Sequence, residues 1–327
     1  MNLLVVGGAG YIGSVAALAL LQAGHKVVVL DDLSKGHRAA VPAGAVFQKG
    51  DLGDAKLVAD LCRAHKFDSA LHFAAHIEVE ESSQHPDRYF DNNFVKTKRL
   101  LDTLIASSVK QFVFSSTAAV YGEPVKISIP EDHPRAPTSP YGWTKLFVEE
   151  LLWAYSRAFD LRAVALRYFN AAGAVGELGE DHRPESHLIP HILEVALGLA
   201  PSIKINGGDW PTPDGTCIRD FIHVSDLVDA HLLALDYLAA GGRSDAFNLG
   251  SGAGYTVRQV VEAARKVTRH PIPEEIVPRR AGDPARLIAS SDKARAVLKW
   301  KPRHTDLHDI ISSAWQWRRA HPNGYAA

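Results

Sequence analysis

Tyr141 and Lys145 stand four residues apart in Tyr141-Gly-Trp-Thr-Lys145. On a helix that spacing puts both side chains on one face, about one turn apart. A free phenol, with a pKa of roughly 10, is a poor base at neutral pH. A fixed positive charge beside it favours the phenolate. Lowering the pKa by about three units takes about 4 kcal/mol, at ~1.36 kcal/mol per unit. A tyrosine so tuned is a general base and acid for interconverting an alcohol and a ketone. Such pairs are common on ordinary amphipathic helices, so the weight of this one rests on the elements around it.

Residues 2–6, Asn-Leu-Leu-Val-Val, read as a short buried strand. Gly7-Gly-Ala-Gly10-Tyr-Ile-Gly13 follows at once. Residues 14–23 then read as a helix ended by Gly24, and residues 26–30 as a second strand ending at Asp31. Strand, glycine turn, helix, strand and acid, in that order, are the setting in which a glycine motif binds a dinucleotide. Gly7 allows the tight turn, Gly10 lets the backbone approach a pyrophosphate, and Gly13 allows close packing of helix on strand. The helix N-terminus offers N–H groups and positive potential to the phosphates. Asp31 can accept ribose hydroxyls, and its charge repels a 2′-phosphate, so the expected cofactor is NAD rather than NADP. Asp32 can share that role. A cationic nicotinamide ring would join Lys145 in stabilising the Tyr141 phenolate.

Further strands are expected at residues 45–48, 69–73, 111–117, 162–167 and 246–250, with helices between several of them. The predicted fold is therefore α/β, a doubly wound parallel sheet of the Rossmann type with a smaller α/β C-terminal substrate domain. The NAD-binding domain takes residues 1–169 plus about 217–250, and the substrate domain about 170–216 plus 251–327. Small residues at Ala74 and Ala75 let the chain pass close to a cofactor. His72 and His76 lie on a strand and a loop with no third ligand nearby, so no metal site is expected. A long helix over 87–107 carries Asn93. The strand at 111–117 ends in Ser115, Ser116 and Thr117, whose hydroxyls would face the crevice at the carboxyl edge of the sheet. A proline-rich loop over 130–140 leads into a helix over 141–159. Leu146, Phe147, Leu151 and Trp153 place apolar groups on more than one stripe of it, whereas a lone surface helix needs one. The surplus fits either deep burial or a face shared with a second subunit.

The chain has 327 residues, 46% hydrophobic and 22% charged, with a net charge of −1. That composition supports a substantial core and gives no reason to expect a nucleic-acid or membrane partner. Cys62 and Cys217 lie far apart and outside any CxxC pattern, which argues against a disulfide framework or a thiolate metal site. A strand starting beside Met1 leaves no room for a signal peptide, and a cytoplasmic location is expected.

The G-x-x-G-x-x-G spacing with a downstream Y-x-x-x-K resembles the extended branch of the short-chain dehydrogenase/reductase superfamily. The stretch from Phe114 to Gly122, F-S-S-T-A-A-V-Y-G, matches that branch well. In the second half, Arg167-Tyr-Phe-Asn170, Ser186-His187-Leu188, Asp214-Gly-Thr-Cys-Ile-Arg219-Asp-Phe-Ile-His-Val and Arg280-Ala-Gly-Asp283 are similar to the UDP-glucose 4-epimerases. The resemblance covers nearly the whole chain. It implies an NAD-dependent exchange of UDP-glucose and UDP-galactose, in which Tyr141, assisted by Thr117, takes the proton of the sugar 4′-hydroxyl. Hydride passes to NAD, the 4-keto sugar turns over, and both return on the opposite face. Lys145 would tune Tyr141 and hold the nicotinamide ribose. The implied cofactor contacts are Gly7, Gly10, Tyr11, Ile12, Gly13, Asp31, Asp32, Asp51, Leu52, Phe73, Ala74, Ala75, Asn93, Tyr141, Lys145 and Tyr168. The implied substrate contacts are Thr117, Tyr141, Asn170, His187, Leu188, Arg219, Arg280 and Asp283, with both arginines on the pyrophosphate through charge-assisted hydrogen bonds. A homodimer built on the helices at about 87–107 and 141–159 is also implied. Val6, Ile77, Asn206, Phe221 and Leu287 depart from the family pattern, Leu287 at a position that bears on acceptance of N-acetylated sugars. The alternatives are another UDP-sugar 4-epimerase, for a pentose, hexuronate or N-acetylhexosamine, and a non-catalytic NAD-binding sensor. A dehydratase is disfavoured because Ala118 and Ala119 stand where such enzymes carry an Asp-Glu pair.

Overall fold

The computed structural model describes residues 1–280 and 283–326. Among them, β1 (Asn2–Val6), β2 (Lys26–Asp31), β3 (Val46–Lys49), β4 (Ser69–His72), β5 (Gln111–Thr117), β6 (Arg162–Tyr168) and a late strand (Asp245–Leu249) form one seven-stranded sheet. Its order runs late strand, β6, β5, β4, β1, β2, β3, and every pairing is parallel. Strand order reverses between β1 and β4, so a crevice opens there at the carboxyl ends of the strands. The helices alternating with these strands are α1 (Tyr11–Gln22), α2 (Ala55–His65), α3 (Val79–Gln84), α4 (Pro86–Tyr89), α5 (Lys96–Ala106) and α6 (Pro140–Phe159).

The sheet is buried on both faces, as parallel sheets are. Alternate residues of β1 serve opposite sides: Leu3 and Val5 join one apolar cluster, Leu4 and Val6 the other. The expected helix over 87–107 is present but interrupted. Between α4 and α5 the residues Phe90–Val95 form a π-helical stretch, and the buried Asn93 sits in it. Helix α6 starts at Pro140, behind Ser139, whose side chain accepts the N–H of Gly142 at 3.2 Å. A cap of this kind contributes roughly 1 kcal/mol, and it fixes Tyr141 in the first turn.

Beyond β6 the described residues continue through short strands and four helices. These are β7 (Asn170–Ala172), α7 (Leu188–Ala196), β8 (Ile203–Asn206), β9 (Ile218–Arg219), β10 (Phe221–His223), α8 (Val224–Ala239), β11 (the late strand of the main sheet), β12 (Tyr255–Thr256), α9 (Val257–Thr268), β13 (Glu274–Val277), β14 (Arg286–Leu287) and α10 (Leu307–Ala320). Helices α7, α9 and α10 share a core with Ala172 and Phe221. Helix α9 begins with a capping box in which Thr256 and Gln259 satisfy each other's backbone N–H groups.

One part of the expected division does not hold. Ala294, Leu298 and Trp300, placed by sequence in the substrate half, pack into the cluster of the first half beside Leu235 and Phe247. The indole of Trp300 is fully buried and donates to the carbonyl of Asp226 at 2.8 Å. Apolar periodicity marks a buried side chain but not which of two cores receives it. No helix among the described residues is long and apolar enough to cross a membrane.

Replacing Trp300 with alanine should destabilise the first half by about 3–5 kcal/mol. Urea unfolding followed by far-UV circular dichroism will check this, and an unchanged midpoint would show that the Trp300 anchor is dispensable.

Candidate active site

A crevice of about 1100 Å³ runs along the carboxyl edge of the sheet and continues under the second half. It exceeds the roughly 300–1,000 Å³ of a single small-ligand pocket. At one end lie Gly7, Gly10, Tyr11, Ile12 and Gly13. Gly7 has φ +78°, and a Cβ on it would fall 2.4 Å from the backbone nitrogen of Ala74. A Cβ on Gly13 would fall 2.1 Å from the carbonyl oxygen of Gly7. The turn can therefore close only with glycine at these two positions. Helix α1 starts one residue after Gly10, three earlier than the sequence suggested, with no side-chain cap. Its first N–H groups are left for an anion in the crevice.

Asp31 ends β2, and its two carboxylate oxygens accept the N–H of Ala9 at 3.0 Å and of Leu33 at 2.9 Å. It thereby braces the glycine turn as well as facing the crevice. Burial raises its carboxyl above the usual range, and these two N–H bonds partly offset that. Asp32 also lines the crevice, with Leu52, Phe73, Ala74, Ala75 and Tyr168. Two expected cofactor contacts do not. The Asp51 carboxylate pairs with Lys96 at 2.6 Å and accepts the N–H of Gly53, away from the crevice wall. Asn93 is turned to the protein instead. It exchanges hydrogen bonds with the backbone of His76 at 2.8 and 2.9 Å and donates to Thr144 at 3.3 Å, so it holds one crevice segment against α6.

Thr117, Tyr141 and Lys145 meet in the middle of the crevice. The Thr117 hydroxyl oxygen accepts the N–H of Ala119 at 3.1 Å, which leaves its hydrogen for the Tyr141 oxygen. Lys145 is buried, and its ammonium donates to the carbonyl of Ser115 at 2.8 Å. It lies 6.0 Å from the centre of the Tyr141 ring. Of the two charges expected to lower the phenol together, Lys145 by itself does not do so. Burial pushes Tyr141 up to about 12, the hydrogen bond from Thr117 works against that, and the charge of Glu78 adds to it. Burial also lowers Lys145 to about 7. Desolvation outweighs the one-turn spacing, so a base at neutral pH needs a further positive charge in the crevice.

Two groups behind this centre escaped the sequence reading. Glu149 of α6 and Arg167 of β6 form a bidentate pair at 3.0 and 2.7 Å, and both are almost wholly buried. Ser116 donates to the same carboxylate at 2.5 Å, and Arg167 also donates to the Tyr121 oxygen at 2.7 Å. His231 of α8 is the other. Its Nδ1 lies 2.9 Å from the carbonyl of Leu227 and so carries the proton, which leaves Nε2 to accept the Tyr168 hydroxyl. His72 is likewise no ligand: its Nε2 meets the Thr97 hydroxyl at 3.1 Å, and burial lowers it to about 3.

At the far end, Asn170, His187, Leu188, Arg219, Arg280 and Asp283 line the crevice. Arg219 is held by the carbonyls of Ile218 and Pro284 at 3.0 and 2.8 Å and lies 3.5 Å from Asp283. Arg280 is exposed, its nearest carboxylate Glu80 at 3.9 Å. Ala281 and Gly282 of this element lie outside the described residues. His187 Nδ1 faces Glu180 and Glu185, at 3.0 and 3.1 Å. Val6, Ile77, Asn206, Phe221 and Leu287, the departures noted in sequence, all line the crevice.

The fold and crevice define a dinucleotide-binding α/β protein with a second compartment opposite the nicotinamide end. A family model for the NAD dependent epimerase/dehydratase family matches residues 3–250. The chain is 51% identical to a UDP-glucose 4-epimerase of Halalkalibacterium halodurans, over 100% of this chain and 98% of that protein. It is 52% identical to one from Corynebacterium glutamicum, covering 98% of this chain and 96% of that protein. A crystal structure of a UDP-glucose 4-epimerase superposes with TM-score 0.97 at 49% identity, covering all of both chains. The Bifidobacterium longum enzyme, in complex with NAD+ and UDP, superposes with TM-score 0.94 at 35% identity, covering 99% of this chain and 100% of that one. This chain belongs to the NAD dependent epimerase/dehydratase family.

The lowered lysine sets a pH dependence. Between about 7 and the ordinary lysine value of 10.5 the unfolded chain binds the proton that native Lys145 has lost. Native stability of the nucleotide-free protein therefore rises with pH across that window through this group, and falls as pH drops through about 7. Lys145→Met removes the contribution, so its stability relative to wild type should be most favourable near pH 6 and least near pH 10. Denaturant midpoints of both proteins across that range will check it; a difference independent of pH would refute it.

Proposed function

We propose that this chain interconverts UDP-glucose and UDP-galactose as an NAD-dependent 4-epimerase. The observation that carries the reading is the meeting of Thr117, Tyr141 and Lys145 between a dinucleotide cradle and a guanidinium-lined second compartment. The cradle fits NAD. Gly7 and Gly13 leave no room for a side chain, the α1 N-terminus presents free N–H groups, and the Asp31 carboxylate faces the ribose position. Bound NAD supplies a reversible hydride acceptor, and its oxidised ring a positive charge.

The protein's own groups do the rest. Tyr141 takes the proton of the 4′-hydroxyl and later returns it, while Thr117 donates to the reacting oxygen and holds it in line. Lys145, fixed on the Ser115 carbonyl, keeps its ammonium beside the phenol and within reach of the nicotinamide ribose. Together with the positive end of α6, where Tyr141 lies in the first turn, this favours the phenolate once the ring charge is present. Arg219, pre-oriented by two carbonyls, offers its remaining donors to the UDP pyrophosphate, and Arg280 adds a second guanidinium. Anchoring the nucleotide while leaving the sugar unclamped lets the 4-keto sugar present its other face. Ala118 and Ala119 line the crevice beside Thr117 without an acid group, which supports epimerisation over dehydration.

Tyr141→Phe should lower turnover of UDP-galactose about 10²- to 10⁴-fold, the usual worth of a positioned acid–base group. Chromatography of the sugar nucleotides will show it, with bound NAD retained. Near-normal turnover would remove Tyr141 from the mechanism, and absence of any conversion by the wild-type protein would favour the sensor.

A homodimer completes the reading. Trp143 and Phe147 of α6 are each 39% exposed, and the Phe147 ring meets Phe90 at a tilt and Phe94 edge-on in the neighbouring helical segment, each with ring centres 5.9 Å apart. An aromatic patch across two adjacent helices is what an isologous two-helix interface buries. Phe147→Glu should yield a monomer by light scattering after size exclusion. A wild-type monomer at micromolar concentration would refute the interface.

A further inference from the structure

Along the far part of the crevice, the loop before α7 reads Glu180-Asp-His182-Arg-Pro-Glu185-Ser-His187. Its first residues alternate sides, as extended chain does. Asp181 and Arg183 turn back onto the C-terminal tail. Asp181 accepts the N–H of Tyr325 at 2.9 Å, and Arg183 donates to the carbonyls of Asn323 and Tyr325 at 2.9 and 3.2 Å. Glu180 and His182 turn the other way, towards Glu185 and His187. One nitrogen or oxygen from each of these four residues lies within 4.8 Å of all the others.

We propose that Glu180, His182, Glu185 and His187 bind one divalent first-row transition ion, zinc being the best match, as a structural clamp on this loop. The distances suit it. His187 Nδ1 lies 3.0 Å from Glu180 and 3.1 Å from Glu185, and His182 Nδ1 lies 3.3 and 4.0 Å from the same two residues. Ligands at ~2.0–2.1 Å from a tetrahedral zinc stand about 3.4 Å apart. Two imidazole nitrogens with two carboxylates are a borderline set that suits zinc over magnesium or calcium. Both rings turn the same atom, Nδ1, inward. Glu185 is steadied from outside by the N–H groups of Ser186 and His187, each at 2.8 Å.

Charge gives a second, independent reason. The side chains of Glu180 and Glu185 are only 8% and 7% exposed, and among the described residues their ion pairs are with these two histidines alone. Two carboxylates so shielded need two positive charges. One dication held among the four would supply both. His182 Nδ1, turned into the cluster, is buried and makes no hydrogen bond, although a Glu180 oxygen is 3.3 Å away, so it is left for a ligand. With four protein ligands the site is closed, so its role is to set the loop that leads into α7 rather than to activate water.

The test uses the NAD-containing wild-type enzyme, produced with zinc supplementation and dialysed against metal-free buffer. Plasma mass spectrometry should find about one zinc per chain, as expected for a closed structural site. Chelation should lower the thermal midpoint, and zinc but not magnesium should restore it. The double variant Glu180→Gln/His182→Asn should bind zinc at least about 100-fold more weakly in competition with a zinc-binding dye. Should that variant fail to fold, the same dye competition on wild type still decides. Metal-free wild-type enzyme that takes up no zinc overturns the proposal, and so does a folded variant that keeps its zinc.

Discussion

The geometry of the candidate site depends on one buried ion pair. Glu149 and Arg167 sit in an interior where an unpaired charge would cost several kcal/mol, and each is the other's main partner. Their bidentate contact joins α6, which carries Tyr141 and Lys145, to β6. Ser116 adds β5, the strand that ends at Thr117. Three elements that could slide by a fraction of an ångström are thereby tied at one point, directly behind the reacting groups. A planar, two-point contact resists rotation as well as separation, which apolar packing alone does poorly. The hydrogen bond from Arg167 to Tyr121, and from Tyr121 to Asn248 at 2.6 Å, carries the tie across to β11.

In front of that anchor the crevice stores a different kind of tension. Tyr141 is pushed up and Lys145 down by the same loss of water. Both shifts favour neutral forms, the opposite of what proton abstraction requires. A cationic ring entering the crevice reverses the balance at Tyr141, because an opposite charge acts strongly where solvent is excluded. On the proposed reading, the protein on its own holds a weak base that the charge of the oxidised ring would make competent.

Much of the first half was legible in the chain. The strands at 2–6, 26–31 and 111–117 are short apolar runs bounded by turns, and the structure has them within a residue. Glycine spacing located the cradle because backbone approach leaves glycine no substitute at Gly7 and Gly13. What the chain did not show is which polar side chains the protein itself engages. Asp51 pairs with Lys96, Asn93 with the His76 backbone, and His187 Nδ1 with Glu180 and Glu185. The partners of Asp51 and Asn93 stand 45 and 17 residues away, beyond what a local pattern can carry. The pairing of Arg167 with Glu149, 18 residues away, went unnoticed for the same reason.

The sequence by itself determined the order of strands and helices, the glycine turn, and the types of side chain available for acid–base work, all set by local sterics and periodicity. The tertiary structure decided which of those side chains face the crevice, which are spent on holding it together, and in which direction their proton affinities move. Those outcomes follow from burial and from contacts between distant segments. They exist only once the two halves have closed on each other and excluded water.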